Sequence, residues 1–145
     1  MNRDGIEKLL YSESSDTVKK YLSSCKETDT LHIYTYNYNW DNGFDIPRTI
    51  INNAHCSLST ALMMFYLADG FRYLTERNEL TDSSEWQDFM SDLFTCIVND
   101  HYKDKSIQFT TPLTKVQLFK LKKILTDSEQ ILITPIEGKD LNIEI

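Results

Sequence analysis

Glycine and proline are scarce in this sequence, which has four glycines and three prolines among its 145 residues. Folds built from many short strands need these residues at their turns, so the scarcity disfavours a β-sandwich or a β-barrel. An apolar content of 41% is too high for a disordered chain. We therefore predict a mainly α, compact multi-helix domain that occupies residues 1–145 as a single unit.

Cysteine pairs and long apolar runs are also missing. The three cysteines, Cys25, Cys56 and Cys96, are odd in number and widely spaced, which disfavours a disulfide framework or a zinc site and predicts reduced thiols. The longest uninterrupted apolar run, residues 61–68, is less than half of a membrane span, and the first residues lack the apolar stretch of a signal peptide. These absences predict a cytoplasmic protein.

Positive charge is in short supply, with 15 basic residues against 22 acidic ones and a net charge of −7. Such a surface repels phosphate backbones and anionic lipids, so we expect neither nucleic acid nor membrane as a partner. The modest lysine group at 115–123 is expected to solvate the outer face of its helix. A cationic protein is the partner that this charge favours.

The first half of the sequence shows several helical patterns. We predict a short helix over residues 3–11 and a second helix that begins after Ser14 or Ser15. Residues 31–40 are ambiguous, because their aromatic residues alternate as in a strand while Leu31, Tyr34 and Tyr38 also fit a helical stripe. We favour a helix there, since the neighbouring segments are helical.

Turn and cap residues organise the middle of the chain. Residues 41–43 form a turn signal, Asp45 is predicted to cap the next helix, and Ser57 is predicted to open the most apolar helix. Gly70 is predicted to stop that helix.

The clearest helical pattern covers residues 83–99. The apolar residues there recur at three- and four-residue intervals; they are Trp86, Phe89, Met90, Leu93, Phe94, Ile97 and Val98. We also predict a short strand at 106–110, a helix at 113–125 and short β segments at 131–134 and 141–145. The helix at 113–125 carries Val116, Leu118, Phe119, Leu121 and Leu125.

Residues suited to metal binding or catalysis are present but poorly arranged. His32, His55 and His101 are far apart in the sequence, so we predict no metal site and no cofactor. Asp41, Asp45 and Asp69 stand beside turns or helix ends, where capping explains them, and we predict no catalytic residue. An enzyme that uses these carboxylates with His55 is the least favoured hypothesis.

Acidic residues concentrate on the helix at 83–99. Residues 81–105 hold six carboxylates against two lysines. Asp82, Glu85, Asp88 and Asp92 recur every three or four residues, so they share one helix face, where like charges repel one another. Solvation of an outer face is one explanation for this pattern. The other is docking of a basic partner, because complementary charge speeds association and sets register, and we predict these four residues as the partner-binding site.

Residues 37–70 carry a more specific pattern, NYNWDNGFDIPRTIINNAHCSLSTALMMFYLADG, which resembles the signature of a bacterial family, domain-of-unknown-function family 4274. The matching positions are Asn39, Trp40, Asp41, Gly43, Phe44, Pro47, Ile50, Cys56, Ala61, Leu62, Phe65, Ala68, Asp69 and Gly70. Weaker similarity extends to the region around Pro135 and Gly138. The pattern predicts a structural role for these residues, with Trp40, Phe44, Cys56 and Phe65 in the core. A partner-binding surface is therefore expected elsewhere.

Some members of that family look like immunity proteins of polymorphic or contact-dependent toxin systems. The resemblance therefore implies an inhibitor that binds a cognate toxin inside the producing cell, and it carries over no catalytic residue. The acidic residues of the helix at 83–99 further predict that this toxin is a basic effector such as a nuclease. The alternative is an adaptor or regulatory domain with a non-toxin partner, which the neighbouring gene would distinguish.

Overall fold

Helices make up most of the computed structural model, which describes residues 1–81 and 84–145. The α-helices are α1 (Arg3–Tyr11), α2 (Ser15–Ser24), α3 (Thr28–Asn37), α4 (Asp45–Ile51), α5 (Leu58–Leu67), α6 (Gly70–Glu76), α7 (Glu85–Val98) and α8 (Lys115–Ile124). Two 3-10 helices lie at Trp40–Asn42 and Asp127–Ile133. The prediction of a mainly α fold is confirmed.

Helix α5 lies at the centre of the fold. Every residue from Leu58 to Phe65 is buried, as expected for a helix that is apolar all round. The Ser57 hydroxyl accepts a hydrogen bond from the Thr60 amide and caps the helix, as predicted. Helices α3, α6 and α7 pack against α5, and α2 packs against α4. One connected core results.

Residues 31–37 of the ambiguous segment are helical, since α3 ends at Asn37, and residues 38–39 have no regular structure. Leu31, Tyr34 and Tyr38 are buried, whereas Tyr36 is 38% exposed. An aromatic strand would place Tyr34, Tyr36 and Tyr38 on one face, and the burial pattern is the helical one instead. The helical prediction is therefore confirmed.

Two predicted helix boundaries are wrong. Asp45 is not a cap, because it lies inside α4, and Phe44 occupies the cap position without a side-chain hydrogen bond. Gly70 does not stop α5, because it is the first residue of α6; Asp69, with a φ of 72°, makes the turn between the two helices. The two short helices α5 and α6 therefore follow each other almost directly.

The C-terminal region contains less β structure than the sequence predicts. Residues 106–110 make isolated bridges, Ile107 with Lys139 and Phe109 with Ile136, in place of a continuous strand. The predicted β segment at 131–134 is wrong, since Ile131 to Ile133 belong to a 3-10 helix, and residues 141–145 have no regular structure. The capping box of Thr126 and Glu129 opens that 3-10 helix, a local signal that outweighs its β-branched residues.

Cys25 and Cys56 are buried free thiols, and Cys96 is a half-buried one. Burial raises the pKa of the Cys56 thiol, so this group stays protonated and serves as a packing residue. Cys56 and Phe65 lie in the core as expected from the sequence, while Trp40 and Phe44 are only half-buried.

Candidate partner-binding surface

The orientation of α7 is determined by its buried face. Phe89, Met90, Leu93 and Ile97 are completely buried against the core. The Ser84 hydroxyl caps the helix by accepting a hydrogen bond from the Gln87 amide, 3.1 Å away. Residues half a turn from the buried stripe must therefore face solvent.

Three of the four predicted binding residues lie on that solvent face. Glu85, Asp88 and Asp92 are all exposed, and their spacing of three and four residues places them one above another on α7. Asp82 lies outside the described residues. Glu85 and Asp88 also belong to the first helical turn, where the helix dipole favours negative charge and offsets part of their mutual repulsion.

A basic residue from α4 interrupts this row of carboxylates. The Arg48 guanidinium donates a hydrogen bond to Asp92 Oδ2 over 2.8 Å, and it lies over the Phe89 ring, 5.6 Å from the ring centroid. The pair is partly exposed, with side-chain exposures of 37% and 61%. Exposed pairs of this kind contribute about 0–1 kcal/mol. Arg48 therefore positions Asp92 more than it stabilises the fold.

The sequence pattern did not identify Arg48 as part of this surface. Arg48 and Asp92 are 44 residues apart in the chain, and no local spacing links them. The contact exists because α4 packs beside α7, which only the tertiary structure determines.

Arg48 also lies in a small cleft between α4 and α7. This cleft has a volume of about 110 Å³ and is lined by Phe44, Asp45, Arg48, Glu85 and Asp88. We call the carboxylates Asp45, Glu85, Asp88 and Asp92, together with Arg48, the acidic surface. Carboxylates in such an arrangement can accept paired hydrogen bonds from an arginine side chain of another protein.

An aromatic cluster supports the acidic surface from below. The Trp40 ring lies 5.3 Å from Tyr38 and 6.2 Å from Phe44, and the Phe44 and Phe89 rings are 5.0 Å apart. Tyr38 donates a hydrogen bond from its hydroxyl to the Gly43 carbonyl. The aromatic residues of the segment 37–44 therefore contact the buried side of α7 and fix its position relative to α4.

Two carboxylates counted in the acidic region 81–105 are engaged elsewhere. A hydrogen bond from Lys103 lowers the pKa of Asp100, and two hydrogen bonds from Ser106 lower the pKa of Asp104. These contacts neutralise Asp100 locally and use Asp104 to fix the loop after α7. The negative charge of the α7 face is therefore smaller than the regional count suggests.

The residues of the enzyme hypothesis lie in separate parts of the fold. Asp41 belongs to the first 3-10 helix, Asp69 to the turn between α5 and α6, and exposed His55 to the segment between α4 and α5. Asp45 contributes to the acidic surface, where its carboxylate lies 3.7 Å from Lys19 Nζ.

In the described part of the chain, no group of three or more His, Cys, Asp or Glu side chains could hold a metal ion. Within residues 1–81 and 84–145, none of the helices is long and apolar enough to cross a membrane.

Comparison with protein families confirms the resemblance noted in the sequence. The model of the family described as "Domain of unknown function (DUF4274)" matches residues 26–97, which run from just before α3 almost to the end of α7. The acidic face of α7 thus lies within the matched region and not apart from it, and the region around Pro135 and Gly138 lies outside. Comparison with curated proteins and with solved structures gave no match.

Proposed function

Starting from the match to DUF4274, we propose that this chain is an immunity protein, which binds and neutralises a cognate bacterial toxin in the cytoplasm of the producing cell. The toxin is a protein with a cationic effector domain, such as a nuclease. The observation that carries the proposal is the acidic surface, which gathers four carboxylates from α4 and α7 around one arginine.

Electrostatics favours a cationic partner for two reasons. The net charge of −7 attracts a basic protein at long range, and the exposed Glu85, Asp88 and Asp92 present a local target for its lysines and arginines. A nuclease needs a basic surface to hold the phosphate backbone of its substrate. A protein that covers this surface with carboxylates would exclude the substrate without any chemistry or cofactor.

Arg48 fixes one carboxylate of the surface. It holds the Asp92 carboxylate in place before a partner arrives, and it lines the cleft together with Asp45, Glu85 and Asp88. Ordering before binding lowers the entropic cost of association. We expect a basic side chain of the toxin to approach the rim of this cleft and to share Asp88 and Glu85.

The partner is best sought in the neighbouring gene. A large secreted protein with a variable C-terminal domain, encoded immediately upstream, is the expected toxin. Its C-terminal domain is to be purified and titrated by calorimetry at about 50 mM and about 300 mM salt, because salt screens the interaction of exposed charges. We expect binding to weaken at high salt.

Charge reversal on α7 tests the location of the interface. Asp88→Lys with Asp92→Lys should weaken toxin binding by at least about a hundredfold, as expected for truncated or reversed charges at an interface. The matched control, Asp4→Lys with Asp16→Lys, makes the same change in net charge at exposed first-turn residues of α1 and α2. If both double variants weakened toxin binding equally, the loss of affinity would come from net charge and not from the acidic surface, which would contradict the proposal.

Growth of cells that express the toxin domain separates immunity from the alternative role. Co-expression of the chain should restore growth, and the α7 double variant should fail to do so. Specific binding of a non-toxin protein through the same surface, with no protection of growth, would instead identify an adaptor or regulatory domain.

A further inference from the structure

A second feature of the fold is an apolar cavity that lies away from the acidic surface. It has a volume of about 270 Å³ and lies between α3, α5, the segment 107–112 and the C-terminal residues 140–143. Its buried lining includes Met63, Ile107 and Phe109, while Leu67 and Tyr36 are exposed, at 42% and 38%. The cavity is therefore partly enclosed and reachable from solvent.

The size of the cavity suits a small organic molecule. An engineered apolar cavity of about 150 Å³ is large enough to bind benzene. A cavity of about 270 Å³ can hold a molecule with two fused rings. The sulfur of Met63 and the rings of Tyr36 and Phe109 are groups that pack favourably against an aromatic ring.

A buried histidine supplies the polar contact. His32 is 3% exposed and lines the cavity. Its Nδ1 lies 2.9 Å from the Thr60 hydroxyl, which in turn lies 2.9 Å from the Ser57 hydroxyl. These contacts hold the ring in one orientation and leave Nε2 without a hydrogen-bond partner among the described residues.

Within the described residues, Trp40 Nε1 is the buried side-chain polar atom without a hydrogen-bond partner, so the unpaired His32 Nε2 keeps some accessible surface, and His32 lines the cavity. Burial lowers the pKa of His32 to about 4, so the ring is neutral near pH 7. In the tautomer that carries its proton on Nδ1, Nδ1 donates to the Thr60 hydroxyl and Nε2 is an acceptor for a molecule in the cavity, and the proposal below rests on this tautomer. An uncharged donor is the matching group, since burial of a charge among the apolar lining would be costly and the exposed Asp140, which also lines the cavity, would repel an anion.

We propose that this cavity binds a small uncharged aromatic molecule whose ring packs among Met63, Ile107 and Phe109 and whose N–H or O–H group donates a hydrogen bond to His32 Nε2. Indole is a suitable probe because it combines two fused rings with a single N–H donor. The site is separate from the acidic surface, so this proposal does not depend on the toxin.

Nuclear magnetic resonance titration of the full ¹⁵N-labelled chain with indole is the primary test. We expect saturable shifts centred on residues 32, 63, 67, 107 and 109. Indole-3-acetate, an anion, should bind at least about tenfold more weakly, and so should 1-methylindole, which lacks the N–H donor. Absence of saturable shifts, or equal binding of indole and 1-methylindole, would overturn the proposal.

A blocking variant provides the second test. Leu67→Trp places a larger side chain at the exposed edge of the cavity and should weaken indole binding more than about tenfold. Val116→Trp is the control, since Val116 is 76% exposed on α8 and does not line the cavity, and it should bind indole like the parent chain. Unchanged affinity in Leu67→Trp would place indole elsewhere and contradict the assignment.

Discussion

At the scale of single residues, Gly70 illustrates how a glycine can be required for packing and not for a turn. A Cβ atom at this position would lie 2.4 Å from the Phe65 ring and 2.7 Å from the Phe65 carbonyl oxygen. Gly70 begins α6, where its backbone passes directly over the end of α5. The sequence marks the position as special, but the reason is a close approach of two helices.

Gly70→Ala should therefore destabilise the protein by about 1–3 kcal/mol, because the added methyl group overlaps a completely buried ring. A loss of stability would identify the steric overlap as the cause, since alanine in the interior of a helix is normally more stable than glycine by about 0.5–1 kcal/mol. Urea denaturation measures the free energy of unfolding.

Gly5→Ala is the matched control within α1. The three atoms nearest to its Cβ would belong to the flexible Met1 side chain and to the Asn2 side chain, so the substitution should be neutral or stabilising. An equal loss of stability in both variants would show that contact with Phe65 is not the cause.

At the scale of elements, α8 departs most from its sequence pattern. Of the five apolar residues in its sequence pattern, Leu121 and Leu125 are buried and Leu118 is half-buried, whereas Val116 and Phe119 are 76% and 61% exposed. The helix lies at the edge of the fold and contacts α6 and the second 3-10 helix. An edge helix buries only a narrow stripe, so a broad apolar pattern overestimates its core face.

Alanine substitutions in α8 should lower the free energy of unfolding strongly at buried positions and hardly at exposed ones. Leu121→Ala should cost about 2–5 kcal/mol, because it removes buried methyl groups and leaves a cavity. Phe119→Ala should change the free energy of unfolding by less than about 0.5 kcal/mol, as is usual for exposed positions. Thermal and urea denaturation of both variants provide the comparison, and a large loss in Phe119→Ala would mean that this ring is buried in solution.

In helix α7, unlike α8, the burial of the apolar residues agrees with the sequence pattern. Its predicted range of 83–99 agrees with Glu85–Val98, and its apolar residues face the core as the pattern requires. A long helix that lies across the core has a sharp boundary between its apolar and polar faces. The sequence therefore predicted which side of α7 carries Glu85, Asp88 and Asp92, but it could not predict Arg48 or Asp45 beside them.

At the scale of the whole molecule, pH is expected to control stability through His32. This histidine has a pKa of about 4 in the folded protein, against 6.5 for an ordinary histidine. The unfolded chain therefore binds a proton at a higher pH than the folded chain, and stability falls as the pH drops from 6.5 to 4. The loss over this window should be about 3 kcal/mol.

Urea denaturation between pH 4.5 and pH 7.5 measures this loss, and the proton resonances of the His32 ring report its titration directly. The variants His55→Gln and His101→Gln are controls in which an exposed histidine is replaced. Asp100, Asp104 and Glu129, whose pKa values are lowered by hydrogen bonds, also lose stabilisation as the pH falls through the ordinary carboxyl range, which overlaps the acidic end of this window. A His32 ring that titrates near pH 6.5 in the folded protein would contradict the prediction.

The sequence by itself determined the helical class, the buried stripe and exposed carboxylates of α7, and the resemblance in residues 37–70, because these depend on periodicity and composition within short segments. Only the tertiary structure decided that Gly70 lies against Phe65, that Arg48 meets Asp92, and that His32 lines a cavity. Each of those contacts joins elements whose relative position depends on packing of the entire core. The physical reason is that local spacing specifies which face of a helix is apolar, whereas the residues that contact this face depend on how distant segments of the chain pack together.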